Sequence, residues 1–313
     1  MDAILIYNFA KKENEAFRVQ LESYLEEGKR IGIHFIPKDN VEAIDYVGLH
    51  FSSLSFALLL DYDLATAAAL EAFDLPVFNN VSTLLFTHDA ELLNLALASE
   101  RLPMRRFYAA PDLGGNLYAN AFEFLEKEIE ARGIRYPYRI KPRFGDPEDP
   151  GTLVLNPLGF HGYLAKQGFT PFVVYEEVVG PHFVGYVANK KCLCILEKSL
   201  PKKAGGPELL SLSSIDNRFN RSLCYKAVQA VGCPAAMVEL VMMGDTPLVT
   251  NVTPFIRTVA AEHLTHLPMM NNVLLYLKRN YRKKGYYESA ELRRRHKRIR
   301  QSVAILAERN PKD

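Results

Sequence analysis

The sequence predicts a mixed protein, an open α/β domain at the N-terminus followed by a β-rich α+β body. Two patterns carry this. From Ala3 to Asn80, short apolar runs alternate with helix-period segments, as in β-α-β units around a parallel sheet. From Phe172 onward, apolar runs follow one another across tight turns, as in antiparallel hairpins. The chain has 313 residues, enough to bury a core and to divide into two or three subdomains.

AILIY (Ala3–Tyr7) reads as the first strand, and Phe17, Leu21, Tyr24 and Leu25 recur on one face of a helix that Gly28 would cap. Ile31–Ile36, Tyr46–Phe51 and Ala57–Asp63 read as strands, Ala65–Phe73 as a helix and Leu75–Asn80 as a short strand. Ligands of such open sheets sit outside the carboxyl ends of the strands. Ala90–Ala98 reads as a helix, RRFYAAP as a loop and Tyr118–Ala131 as an amphipathic helix. Tyr136–Pro142 is a strand ending in a lysine, with a Gly/Pro/acid-rich loop, Phe144–Gly151, after it. The strand Thr152–Leu155 and a short helix, Pro157–Gln167, follow. PFVVYEEVV, HFVGYVAN and CLCILEK read as strands, the last two as a hairpin around Asn189–Lys191. Ser222–Val231 is a helix, AMVELVMM and PLVTNV are strands, and His263–Asn280 is a helix.

Composition narrows the classes. No apolar run approaches the roughly 20 residues of a membrane span, and MDAILIYNFA reads as a buried strand rather than a signal peptide. Cys192, Cys194, Cys224 and Cys233 suit reduced thiols, and the expected compartment is the cytoplasm. The net charge of +2 hides a split: Lys278–Arg300 carries +9 and the remainder −7. That basic segment is either a solvated helix face or a surface for an anionic partner. Cys192 and Cys194 lack the second pair a metal site would need, and His263 and His266 read as an exposed helix face. The absence of GxSxG, a Walker lysine loop and GxGxxG argues against hydrolase, P-loop and dinucleotide-binding classes.

Three places carry chemistry. Lys141, at a strand end beside a glycine-containing loop, is placed either to meet phosphate or to snorkel from the surface. Glu239 and Asn251 fall on two strands joined by a Gly-Asp turn, so a hairpin brings together an acid and an amide oxygen suited to Mg²⁺. The alternative is an acid paired with a nearby base. Glu176 and Glu177 follow FVVY, where a hinge could read adenine and ribose, or where two acids simply face solvent.

Taken in order, LIYN, LEAFDLPVFNNVSTLLFTHDAELL, RIKPRFGD, VVYEEVV, a two-strand hairpin and VELVMMGDTPLVTNVTP resemble the ATP-grasp ligases, particularly RimK-type and D-alanine–D-alanine-ligase-like members, over residues 3–280. The resemblance implies an ATP-grasp fold: an N-terminal pre-ATP-grasp domain (1–85), two β-rich subdomains (86–175 and 176–280) enclosing a nucleotide, and a basic C-terminal helix (281–313). It implies ATP and Mg²⁺ as cofactors, a carboxylate and an amine as substrates, and an acyl phosphate that the amine attacks. Carried over, Lys141 contacts phosphate, Glu176, Glu177 and Val178 lie at adenine and ribose, and Glu239 and Asn251 hold Mg²⁺.

Several positions depart from that pattern. Ala90 stands where a lysine is usual, Val184 where an arginine is usual, and Val249 where a glutamate bridges two metals; Glu239 replaces an aspartate. The usually small, flexible loop is FGDPEDPG, with two prolines and three acids. Arg143, Lys198, Arg218 and Arg221 are either compensating cations, Arg218 and Arg221 toward substrate, Arg143 toward phosphate and Lys198 in place of a missing cation, or ordinary surface cations. Two functions are therefore expected: a carboxylate–amine ligase with a divergent site, or a catalytically degenerate fold serving as a binding or regulatory subunit, alone, as a homo-oligomer or beside a homologous partner.

Overall fold

A computed structural model describes residues 1–112, 121–145, 149–168, 170–199 and 209–280. The chain divides into two compact units, residues 1–82 with the segment from Leu274 onward, and residues 83–273.

The first unit is built on β1 (Asp2–Tyr7), α1 (Glu15–Arg30), β2 (His34–Asp39), α2 (Ala43–His50), β3 (Ala57–Leu59), α3 (Leu64–Ala72) and β4 (Val77–Phe78). Its four strands are parallel in the order β2-β1-β3-β4, the open α/β sheet that alternating apolar runs predict. Ala3, Ile4, Leu5 and Ile6 are almost fully buried, as expected of a strand covered on both faces.

Local details correct the sequence reading. Gly28 does not end α1; it lies inside the helix, where a Cβ would approach the Phe35 ring to 2.5 Å. Tyr46–Phe51 is not a strand. The Asp39 carboxylate accepts the amides of Val41 and Glu42 and so holds the turn that leads into α2, and Ala43 and Val47, one turn apart, bury the helix's inner face. β3 stops at Leu59, and Asp63 leaves the expected strand to cap α3 through the Thr66 amide.

The second unit holds most of α4 (Val81–His88), then α5 (Ala90–Ser99), β5 (Phe107–Ala109), α6 (Ala121–Ala131), β6 (Tyr138–Pro142), β7 (Thr152–Val154), α7 (Pro157–Gln167), β8 (Phe172–Glu176), β9 (His182–Ala188), β10 (Lys191–Ser199), β11 (Leu209–Leu212), α8 (Arg218–Ala230), β12 (Ala235–Met243), β13 (Thr246–Thr253) and α9 (Val259–Thr265); α4 begins in the first unit, and α10 (Met269–Asn280) likewise runs across the division. Its strands form two antiparallel sheets, β5-β8-β6-β7 and β11-β10-β9-β12-β13. Residues 107–109 thus form a strand where a loop is expected, because β8 pairs with them from Phe107–Tyr175 to Ala109–Val173.

Each sheet has its own core. Leu125, Ile129, Phe160 and Leu164 of α6 and α7 pack with Tyr138, Ile140 and Val174. Leu93, Leu97, Leu223 and Val228 of α5 and α8 pack with Phe183, Ile195, Val238 and Val249. The hairpin of β9 and β10 turns on Asn189 and Lys190, both at positive φ, and that of β12 and β13 on Gly244. The expected helix over His263–Asn280 is two helices. His266 takes a left-handed conformation that ends α9, and Pro268 then keeps the chain out of helix until α10 begins. His263 and His266 therefore do not share a helix face.

The basic segment beyond Asn280, Tyr118–Asn120 of the expected helix and Asp146–Glu148 of the acidic loop lie outside the described residues. Among the described residues, no helix is long and apolar enough to cross a membrane.

Candidate functional site

β6 lies between β8 and β7, and alternation along it sorts its side chains. Tyr138 and Ile140 enter the core beneath α6 and α7, while Arg139 and Lys141 project from the other face. Lys141 Nζ donates to the Asp149 carbonyl at 3.4 Å and stands 6.0 Å from the Tyr175 ring centroid on β8. Tyr175 is buried, and its hydroxyl accepts from Asn94 Nδ2 at 2.8 Å. Burial raises the pKa of that hydroxyl, so it stays neutral.

The second sheet supplies the opposite wall. Val238 and Leu240 of β12 enter the core under α8, leaving Glu239 on the other face. The register sets Glu239 directly across from Asn251, with a bulge immediately after it. Lys141, Arg143, Tyr175, Thr250 and Asn251 line one open cleft of about 300 Å³, its mouth included. Lys141 and the Glu239–Asn251 pair, more than ninety residues away in sequence, thus come to one region of one unit.

Sequence reasoning allowed Glu239 a basic partner but did not identify which cations hold the acids. Glu239 accepts from Lys198 Nζ at 2.7 Å, so the candidate metal acid and a candidate phosphate cation hold each other. Glu177 accepts from Arg139 at 2.7 and 3.1 Å, and Glu176 accepts from Arg106 Nε at 2.8 Å. Val178 is half-buried just past β8. Arg143 does line the cleft, but its guanidinium grips Asp89 through Nε at 2.9 and 3.0 Å and Nη2 at 2.7 Å, and also contacts Glu91. A guanidinium committed to two carboxylates is a poor phosphate ligand. Arg221 is likewise held by Asp216. Arg218 is not brought to the cleft lining. It is the exposed first residue of α8, which packs on the face of the sheet opposite Glu239.

The nearest unforeseen cation is Arg105. Its guanidinium stacks 4.0 Å from the Tyr175 ring centroid, and its Nε is buried without a hydrogen-bond partner. Burial pulls its pKa below the ordinary arginine value, partly offset by Tyr175, Glu177 and Glu239 nearby. The run RRFYAA carries no signal separating Arg105 from exposed Arg106. The distinction appears only once β5 pairs with β8.

The donors do not fit a Mg²⁺ site. Magnesium favours near-octahedral oxygen ligation, with carboxylates offsetting its charge. Glu239 is already neutralised by Lys198, and the amide oxygen of Asn251, an uncharged ligand at best, already accepts the Val252 amide at 2.9 Å. Val249 is 1% exposed and packed in the core beneath α8. A dication 4 Å from an ammonium is opposed by about 8 kcal/mol at an effective dielectric of ~20, twice the unit-charge value. Among the described residues, no group of three or more His, Cys, Asp or Glu side chains is arranged to hold a metal.

No protein-family model matches the sequence, and no curated protein matches it. Solved structures do. A D-alanine–D-alanine ligase from Bacillus anthracis, complexed with ATP, superposes with a TM-score of 0.67 at 13% identity, over 89% of this chain and 99% of that one. A RimK-domain ATP-grasp protein from Sphaerobacter thermophilus gives 0.63 at 15%, over 88% and 99%. An L-amino acid ligase from Bacillus licheniformis gives 0.63 at 19%, over 88% and 73%. The chain has the ATP-grasp fold.

Proposed function

We propose that this ATP-grasp protein binds a nucleotide polyphosphate in the cleft between the two sheets of its second unit, and serves as a binding or regulatory subunit rather than an amide-forming ligase. Binding is supported by the meeting of Lys141 with Tyr175, Thr250 and Asn251 on one cleft. A strand-borne ammonium there offers a compact cation to phosphate oxygens. The β8 end, Glu176–Val178, is the expected adenine and ribose edge, and its two carboxylates are already engaged by arginines.

The loss of ligation rests on one observation, the Lys198–Glu239 ion pair. Acyl-phosphate chemistry needs dense positive charge around the moving phosphoryl group, commonly supplied by metal ions bridging its oxygens. The only carboxylate on the candidate metal strands is spent on a lysine, and Val249 has no side-chain oxygen to offer. The ligase reading keeps one support, the approach of Lys141, Glu239 and Asn251 to the same region.

Calorimetry with a non-hydrolysable ATP analogue, beside an ADP-release assay with D-alanine and a panel of L-amino acids, separates the readings. The expected result is binding weakened about tenfold or more by Lys141→Ala and no acid- and amine-dependent ADP release. Absence of binding at millimolar analogue overturns nucleotide binding. Substrate-dependent ADP release restores the ligase.

A further inference from the structure

We infer that a layer of interlocked charges separates the cleft from the end of β8, so that the cleft takes a phosphoryl chain without reading any base attached to it. This rests on the nucleotide reading above for the phosphate end of the ligand and departs from it at the base.

The cleft and the expected base edge are different places. Among the described residues, the cleft is lined from α4, α5, β6 with the loop after it, and β13, while β8 contributes Tyr175 alone. Glu176, Glu177 and Val178 are not in that lining. The space, about 300 Å³ with its mouth, is at the lower end of the roughly 300–1,000 Å³ of small-molecule sites. It suits part of a nucleotide better than the whole. A base would also want a flat apolar face to stack on. Tyr175 is the only Phe or Tyr ring of the lining among the described residues, and the Arg105 guanidinium already stacks on it at 4.0 Å.

Charged side chains from both sheets fill the space beside that stack. Arg105 lies within electrostatic reach of Glu177, just past β8, and of Glu239 on β12. Glu177 is held by Arg139 of β6, and Glu239 by Lys198 of β10. His182 of β9 feels Arg105, Arg139, Lys198 and Glu239 together, which makes these groups one layer. The four paired side chains are only 15–28% exposed. A base entering among them must break a half-buried ion pair or unstack Arg105, and a neutral ring brings no charge in exchange. A phosphoryl chain that stays in the cleft, at Lys141, leaves the layer whole.

Calorimetry on the full chain tests this with inorganic tripolyphosphate, adenosine, and non-hydrolysable analogues of ATP, GTP and CTP. The three analogues should bind within about threefold of one another and tripolyphosphate within about tenfold of them, with no adenosine binding at millimolar concentration. An ATP analogue about tenfold or more tighter than the GTP and CTP analogues overturns the inference. So does an ATP analogue that binds where tripolyphosphate does not, which leaves the nucleotide reading standing. Tripolyphosphate binding while every analogue fails supports the inference and ends the nucleotide reading. Binding by none ends both. Arg105→Ala, checked for folding by circular dichroism, is the second arm, because Arg105 makes no ion pair among the described residues and its loss breaks none. Uncovering Tyr175 should raise the ratio of ATP-analogue to tripolyphosphate affinity about tenfold. An unchanged ratio in a folded variant overturns the role given to Arg105, and the wild-type comparison decides the rest if the variant does not fold.

Discussion

Around the cleft, Glu176, Glu177 and Glu239 each hold an arginine or a lysine within 2.8 Å, and the consequences differ with exposure. Glu176 is the clearest to titrate. The hydrogen bond from Arg106, with its charge, holds the carboxyl below its ordinary 4.5 despite an opposing desolvation. Its stabilising share is therefore complete above about pH 4.5, where the unfolded carboxyl is also ionised, and drains away as pH falls through the lower folded value. The stability gap between wild type and Glu176→Gln should be widest near neutrality and close toward about pH 3. Urea midpoints at three pH values would show this, and a gap independent of pH would mean the pair contributes no charge-dependent stability. Which residues gather here was partly legible. Lys141, Glu239 and Asn251 follow from strand ends and one hairpin. The pairings do not, because Arg106 and Glu176 are 70 residues apart and Lys198 and Glu239 are 41 apart, joined only through sheet pairing.

Among elements, the join between α5 and β6 matters most to the cleft. Asp89 caps α5 by accepting the Glu91 amide at 2.9 Å and the Leu92 amide at 3.2 Å, and it receives the Arg143 fork from just past β6. Backbone groups reinforce the join: the Ala90 amide donates to the Arg143 carbonyl, and Asp89 bridges to Phe144. Asp89 is 2% exposed, so removing the guanidinium leaves a buried carboxylate facing only amides. Arg143→Ala should cost about 2–3 kcal/mol in urea unfolding, below the full value for a deeply buried pair because Arg143 itself is 27% exposed. Arg143→Lys should recover only part of it, since an ammonium cannot reproduce the two-pronged contact. A loss within about 0.5 kcal/mol would show that the backbone bridge alone fixes the join. Apolar residues at helical spacing were enough to find α1 and α6. The same signal failed for α2, whose eight residues hold only one apolar i, i+4 step at the core, and β5 carries no local signal because it exists only through pairing with β8.

At the scale of the whole molecule, the chain's last described helix serves the first unit. The leucines of 264–277 mark an apolar helix by their spacing, but spacing cannot say which core they enter. Leu274 and Leu277 are fully buried and belong with residues 1–82, while Met269, Met270 and Val273, also buried, belong with the second unit. Lys278 Nζ donates to the Ile31 carbonyl where α1 turns toward β2, one more tie from α10 to the first unit. Two buried leucines are worth roughly 1.5–3 kcal/mol each, a large part of the 5–15 kcal/mol typical of a domain. A chain ending at Val273 should therefore lose hydrogen-exchange protection at the β1 amides of Ala3–Ile6, although every strand of that sheet is retained. The β12 and β13 amides, in the other unit, should keep theirs. A chain ending at Asn280 is the control, because it restores Leu274, Leu277 and Lys278 while still omitting most of the basic segment. Equal β1 protection in the two truncations would mean that the four-stranded sheet and its own helices stand without α10. Protection returning only with the residues beyond Asn280 would assign the closing role to the basic segment instead.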